Sequence, residues 1–148
     1  MTEAELPKLL TELEQSTNKL NVESNSINTI IESVETRLRT ANPGIECVLG
    51  DHKLETRNEK GVKETGNLGF GKSGESWGLF VYNLDHEDTT GFIGRSETIG
   101  ASTQVPLAKT SRGLRIAALR ELPRLIETLT KKVTESVKAI EDAKRLVF

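Results

Sequence analysis

The predicted fold is decided by residues 1–40, MTEAELPKLLTELEQSTNKLNVESNSINTIIESVETRLRT, in which apolar side chains recur at seven-residue intervals. One row of positions holds Leu6, Leu13, Leu20, Ile27 and Val34, and a second holds Leu10, Thr17, Ser24, Ile31 and Leu38. Because the rows alternate in steps of three and four residues, they predict one long helix with a coiled-coil seam, about five heptads in length. Asn42-Pro43-Gly44 ends the pattern.

The C-terminal segment, residues 110–147, repeats this pattern. Its rows are Leu119, Ile126, Val133, Ile140 and Val147, and Leu122, Leu129, Ser136 and Ala143. Thr110 or Ser111 can cap the start of the helix. Pro123 lacks the N–H that would bond to Leu119, so we expect a kink or a restart there.

The two predicted helices fit each other as antiparallel partners. Aligning Leu38 with Leu119 brings Ser24 near Val133. The first forty residues carry four Lys/Arg and seven Glu, and the last forty carry ten basic and five acidic residues, so the net charges are −3 and +5. Opposite charges favour the same pairing, although exposed ion pairs contribute little each. An antiparallel helical pair with β structure between its helices resembles the architecture of prefoldin subunits.

The central segment, residues 44–108, is rich in glycine and shows no helical periodicity. The clearest strand is Trp77–Leu84, which is apolar on both faces and therefore central in its sheet. Other predicted strands are Ile45–Leu49, Lys53–Arg57, Asn67–Phe70, Phe92–Arg95, Thr98–Ile99 and Gln104–Leu107. The sequence therefore predicts one α+β domain over residues 1–148, in which long terminal helices flank an antiparallel sheet of three to five strands.

One motif has the spacing of a phosphate-binding P-loop, G-x-x-x-x-G-K-[ST]. It begins at Gly66 and ends with Gly71, Lys72 and Ser73. In a P-loop the backbone amides and the lysine hold phosphates, and the Ser binds Mg²⁺. A buried strand should precede the loop and a helix should follow it, whereas here a polar stretch precedes and a predicted strand follows. We therefore interpret the motif as a β-hairpin and keep these four residues only as alternative phosphate-binding candidates.

Two further groups are candidates for metal or catalytic sites. The run DHED offers Asp85, His86 and Asp88 as metal ligands, but it lacks the alternating order of an oxygen-rich cation loop. Cys47 and His52 could form a nucleophilic pair. Cys47 lies among apolar residues of a predicted strand, where a buried and inert thiol is expected. We assign no catalytic residue and expect no cofactor.

A basic neck, residues 109–124, carries a local charge of +4. Its cations are Lys109, Arg112, Arg115, Arg120 and Arg124, opposed by Glu121. Such a surface can bind phosphate, nucleic acid or an acidic partner. It can equally pair with the acidic remainder of the chain. No aromatic residue interleaves for base stacking, so we do not expect nucleic-acid binding.

Apolar residues outside the heptad rows include Leu9, Ile30, Leu125 and Val137. They widen the apolar surface beyond what one helical pair covers, and a second copy would cover the remainder. The sequence therefore favours a non-enzymatic protein–protein interaction or assembly module (adaptor, scaffold or chaperone-like) acting as a homodimer. The alternatives are phosphate or nucleotide binding at Gly66–Ser73 with the basic neck, or nucleic-acid binding through the neck.

Length and composition agree with a single packed domain. The chain has 148 residues, of which 35% are hydrophobic and 28% charged, and its net charge is −2. These values argue against a disordered chain and against a strongly basic nucleic-acid-binding protein. A single cysteine excludes internal disulfides. There is no positively charged signal-like start and no apolar run near about 20 residues, so we expect a cytoplasmic protein without a membrane span.

Overall fold

The computed structural model describes residues 3–57, 59–87, 96–98 and 103–148. Its elements are α1 (Glu5–Ala41), β1 (Cys47–Arg57), β2 (Lys63–Ser73), β3 (Ser76–Glu87), β4 (Ser96–Thr98), β5 (Gln104–Pro106), a 3-10 turn (Leu107–Lys109) and α2 (Arg112–Val147). The predicted α+β class is confirmed, with one long helix before and one after the strands of an antiparallel sheet in the chain. The predicted strand Phe92–Arg95 lies outside the described residues. Neither helix, over the described residues, has a stretch apolar enough to cross a membrane.

The sheet is antiparallel, with strand order β1-β2-β3-β4, and the short β5 also pairs with β3. The β1–β2 turn contains Gly61 and the β2–β3 turn contains Gly74, and both have positive φ, which a glycine adopts without strain. We name the two ends of the sheet the Gly61 end and the Gly74 end. Because β1 and β3 are both antiparallel to β2, each begins at the Gly74 end and finishes at the Gly61 end.

A bulge in β3 interrupts its pairing with β2. Asn83 and Leu84 together oppose Gly66, since Asn67 pairs with Tyr82 and Thr65 with Asp85. Asn83 adopts the left-handed conformation, with φ of 55°. Its side-chain amide donates to Asn67 Oδ1 at 3.3 Å. The bulge is therefore held by a side-chain hydrogen bond as well as by the strand ladder.

The glycines of the P-loop-like motif make room for an aromatic ring. Tyr82 lies across Gly69 and Gly71, and a Cβ atom built on Gly69 would be 2.6 Å from the ring carbon Cε2. A Cβ atom on Gly71 would overlap the Tyr82 hydroxyl oxygen. Cross-strand packing of an aromatic ring over glycine is a known way to stabilise a sheet and set its register. These glycines are therefore explained by packing within the sheet.

The core lies between the sheet and one face of each helix. Residues of α2 at steps of three and four are buried, namely Leu114, Ala118, Leu122, Leu125 and Leu129. The sheet contributes the buried side chains of Leu54, Leu68, Phe70, Leu79 and Val81, and α1 contributes Ile31. Phe70 also stacks on Trp77, with 5.4 Å between the ring centroids. The core is thus mainly aliphatic, as the composition indicates.

Both helices run in the same direction across the sheet. At the Gly61 end, Arg112 Nη1 of α2 donates to Ser24 Oγ of α1 at 3.4 Å. At the Gly74 end, Lys132 Nζ of α2 donates to the carbonyl just before β1 at 3.4 Å. Arg39 Nε of α1 donates at the same end to Trp77 O, near the start of β3, at 2.6 Å. Residue numbers therefore rise from the Gly61 end to the Gly74 end along both helices.

The predicted antiparallel pairing of the two helices is not observed. The alignment brought Ser24 near Val133, whereas Ser24 contacts Arg112 at the opposite end of α2. The physical reason is that the buried faces of both helices join one core with the sheet, so the two helices do not form a separate coiled-coil seam. The resemblance to a coiled-coil hairpin therefore does not extend to the helix pair.

The start of α2 follows the sequence prediction, and its interior differs in one respect. Of the two predicted caps, Ser111 acts as the N-cap, and its hydroxyl accepts from Leu114 N at 3.3 Å. Helix α2 continues from Arg112 to Val147 through Pro123. Of the two outcomes predicted at Pro123, a restart of the helix is therefore not observed. Pro123 is exposed, so its ring points away from the packed face.

Candidate functional site

About half of each helix extends beyond the packed body. Residues 5–23 of α1 are all exposed, and we call them the N-terminal arm. Residues 130–148, which follow the last buried residue of α2, are exposed except for the half-buried Val133, and we call them the C-terminal arm. Because both helices run in the same direction, the N-terminal arm leaves the body at the Gly61 end. The C-terminal arm leaves it at the Gly74 end.

The N-terminal arm carries an apolar stripe. Its members are exposed by 44–61% of their surface, and they are Leu6, Leu9, Leu10, Leu13 and Leu20. Steps of three and four residues place them on one helical face. The same steps lead on to Ile27 and Ile31, which pack on the core. The stripe is therefore a continuation of the buried face of α1 beyond the end of the sheet.

The C-terminal arm carries a second stripe. Val137, Ile140 and Val147 are exposed by 49%, 57% and 75%, and Val133 precedes them by one helical turn. The two arms also differ in charge. The N-terminal arm has four Glu and two Lys, a net −2, whereas the C-terminal arm has five Lys/Arg and three acidic residues, a net +2.

Of the four residues that the sequence predicts at an interface, three are exposed in the structure and one is buried. Leu9, Ile30 and Val137 are exposed by 44%, 44% and 49%. Leu125 does not join them, because it is fully buried in the core. An α-helix has 3.6 residues per turn, and this spacing puts Leu125 on the face that packs on the sheet. The heptad rows, which assume 3.5 residues per turn, instead predict Ile126 on that face, but Ile126 is 39% exposed.

A polar cleft with a volume of about 1010 Å³ lies at the Gly61 end. Three segments form it. Helix α1 contributes Asn21, Ser24, Asn25 and Asn28, the end of β1 and the following turn contribute Arg57, Glu59 and Lys60, and the start of α2 contributes Ser111, Arg112, Gly113, Arg115 and Ile116. Four of these side chains are cationic and one is anionic, so the lining has a net charge of +3.

The Arg112 contacts across the cleft are long, and Arg115 leaves one of its donors unused. Arg112 Nη2 approaches Glu59 Oε1 at 3.4 Å, and the Glu59 side chain is 91% exposed. Arg115 Nη1 donates to Asn28 Oδ1. Arg115 Nε is shielded from solvent and has no acceptor among the residues that the structure describes. The cleft therefore holds cationic donors whose hydrogen-bonding capacity is only partly used.

Local sequence explains why the three segments meet. Gly113 lets the first turn of α2 lie against β1, because a Cβ atom there would overlap Thr56 Oγ1. The polar residues of α1 at the cleft follow helical spacing, so they form one polar face beside the buried one. That face is visible in the sequence, but nothing in the sequence places it opposite Arg57 and Lys60.

The basic neck is also divided. Arg112 and Arg115 line the cleft. Lys109, Arg120 and Arg124 are exposed outside the cleft lining, and Arg124 Nη1 lies 3.5 Å from Glu121 Oε2. The neck is therefore not one continuous cationic surface.

The P-loop-like motif lies apart from the cleft. Gly66, Gly71, Lys72 and Ser73 all belong to β2, and the last two are exposed beside the turn at the Gly74 end. Arg112 is at the Gly61 end, so the structure does not bring this motif and the basic neck together.

The remaining candidates are dispersed. Asp85 and His86 lie in β3, where His86 Nδ1 is 3.6 Å from Glu64 Oε2, and Asp88 is outside the described residues. His52 is exposed in the irregular part of β1. Cys47 is buried, and this burial raises the pKa of its thiol, while Lys132 acts in the opposite direction. A buried thiol with a raised pKa is a poor nucleophile.

Comparisons with known proteins do not assign the chain to a family. No protein-family model, curated protein or solved structure matches it. The proposals below therefore rest on the contacts, burial and charge of the residues already described.

Proposed function

We propose that the chain is a non-enzymatic protein–protein assembly module that forms a homodimer through its two arms. The observation that carries the proposal is the pair of apolar stripes, which no described residue of the same chain covers. Exposed aliphatic side chains in continuous rows are typical of helix-pairing surfaces. An adaptor, scaffold or chaperone-like role would use the assembled dimer.

A side-by-side dimer with two-fold symmetry can cover the apolar stripes of both arms. When the second copy is turned end for end, its Gly74 end lies beside the Gly61 end of the first. The N-terminal arm of one copy and the C-terminal arm of the other then project together and are antiparallel in chain direction. The symmetry repeats this pair at the opposite end, so each interface is closed.

The lengths and charges of the arms support this arrangement. Residues 5–23 and 130–148 are each 19 residues, which corresponds to about 28 Å of helix. The net charges of −2 and +2 attract when unlike arms pair, whereas pairing of like arms brings equal charges together. Apolar burial supplies the affinity in this arrangement, and charge selects the partner arm.

Light scattering on substituted chains tests the proposal. Wild type should have twice the chain mass of 16.3 kDa at micromolar concentration. Leu13→Glu places a charge in the stripe and should give a folded monomer, since Leu13 is 61% exposed and contributes little to the core. Gln15→Glu adds the same charge on the opposite face of the arm and should remain dimeric. A monomeric wild type across the measurable range would reject the proposal.

A further inference from the structure

We propose that the cleft at the Gly61 end is a binding site for a small phosphate ester whose organic part carries hydroxyl or amide groups. This site shares Asn21 with the N-terminal arm, and it is separate from the C-terminal arm and from the P-loop-like motif. It rests on the cationic side chains gathered there, on an unused buried donor, and on the size and polarity of the lining.

The cations come from different parts of the chain. Arg57 and Lys60 belong to β1 and its turn, and Arg112 and Arg115 belong to α2. Folding thus gathers four cationic side chains around one cleft, and the exposed Glu59 is the one acidic side chain among the described lining residues. Guanidinium groups bind phosphate oxygens through paired hydrogen bonds, and a doubly charged phosphate would neutralise most of the excess charge.

The existing contacts leave donors for a ligand. The Arg112–Glu59 pair is 3.4 Å long and its carboxylate is 91% exposed, so little energy holds the guanidinium in that position. Arg115 Nε–H has no acceptor among the described residues, which is costly for a buried donor, and because it is shielded from solvent it becomes available to a ligand when the Arg115 side chain shifts. The positive end of the α2 dipole lies at the same place, because the first residues of that helix line the cleft.

The remaining lining indicates what is attached to the phosphate. The cleft volume of about 1010 Å³ is larger than a phosphate ion needs and is at the upper end of small-molecule sites. Asn21, Asn25 and Asn28 offer amide donors and acceptors on one wall. Such groups pair with hydroxyls or amides. Among the described residues of the lining there is no aromatic side chain for stacking bases, so a small polar ester fits the cleft better than a nucleic-acid strand.

Titration calorimetry with ribose 5-phosphate, pyrophosphate and ribose tests this site. Wild type should bind the first two and not ribose, because the phosphoryl group supplies the interaction with the cations. Arg112→Gln should weaken binding by about tenfold or more. Lys60→Gln should also weaken it, and since Lys60 is exposed on a turn, it serves if Arg112→Gln fails to fold. Arg120→Gln is the matched control, because Arg120 is exposed on the same helix outside the cleft.

Three results would overturn the proposal. One is the absence of binding of both phosphorylated probes at about 10 mM, which is weaker than a functional small-molecule site requires. Another is equal binding of ribose. The last is an equal loss of affinity in Arg120→Gln and Arg112→Gln, which would mean attraction to a diffuse positive surface.

Discussion

Glu35 of α1 accepts a hydrogen bond from the backbone N–H of Leu79 in β3, with 2.8 Å between Oε2 and N. One turn later, Arg39 Nε donates to Trp77 O at 2.6 Å, and Arg39 Nη2 lies 2.6 Å from the other Glu35 oxygen. Two side chains of α1 thus form hydrogen bonds with the backbone of β3 at Trp77 and Leu79, and from Phe80 onward β3 pairs with β5 along its edge. Unpaired strand edges invite association with other chains, so this contact both anchors α1 and protects the edge.

We expect Glu35→Ala to lower the free energy of unfolding by about 1–3 kcal/mol, because Leu79 N–H loses its acceptor in a partly buried position. Glu32→Ala, on an exposed face of the same helix, is the control and should change stability by less than about 0.5 kcal/mol. Urea denaturation followed by circular dichroism measures both values. Equal stabilities for the two variants would contradict the edge contact.

The packing of Tyr82 over two glycines gives a second expectation. Gly69→Ala and Gly71→Ala should each destabilise the fold by about 1–3 kcal/mol, because a new Cβ meets the ring or its hydroxyl. Gly50→Ala is the control, since its Cβ would meet no atom within 4 Å. Adding Tyr82→Phe removes the hydroxyl and should partly restore Gly71→Ala but not Gly69→Ala. Thermal unfolding of the single and double variants decides this, and equal rescue of both would refute the geometry.

Tyr82 is the only tyrosine, so its ionisation can be followed directly. Burial raises the pKa of its phenol above the usual value near 10, and the nearby Glu46 carboxylate, 3.0 Å from the hydroxyl, raises it further. A raised folded pKa means that stability is unaffected below about pH 10 and falls as pH rises from there toward the folded pKa. The near-ultraviolet titration of the folded chain should therefore have its midpoint above that of the unfolded chain.

Tyr82→Phe is the matched variant for this titration. Because it lacks the phenol, its stability should fall less than that of the wild type as the pH rises above about 10. Cys47 also has a raised pKa and is unchanged in both proteins, so the difference between the two stability profiles isolates the phenol. Coincident profiles above pH 10, or a phenol midpoint at the ordinary value, would contradict the half-buried position of Tyr82 beside Glu46.

Local patterns in the sequence predicted the elements well. The expected helix over residues 1–40 corresponds to Glu5–Ala41, and the expected strand Trp77–Leu84 lies within β3. These elements follow from short-range periodicity and from turn residues, which act before any tertiary contact forms. The same patterns could not predict what covers each apolar stripe, because a stripe packs equally well on a sheet or on another helix.

Two residue pairs show where the inference from sequence ends. Leu125 and Ile126 are adjacent aliphatic residues, and the face of α2 that packs on the sheet determines that the first is buried and the second is exposed. Arg57 and Arg112 are 55 positions apart in the chain, yet they line one cleft. No local pattern joins residues at that separation, so the cationic cleft could be found only from the fold.

In the proposed dimer, each N-terminal arm pairs with the C-terminal arm of the second copy. The distance between spin labels at Gln15 and Lys138, attached to cysteines in a chain with Cys47 replaced by Ser, tests this pairing. Within one chain these positions lie beyond opposite ends of the body, about 50 Å apart along the helices. In the proposed dimer they lie across one helix pair, about 20–25 Å apart. Mixing chains labelled at Gln15 alone with chains labelled at Lys138 alone should give this short distance. A mixture with no distance below about 40 Å would contradict the pairing of unlike arms.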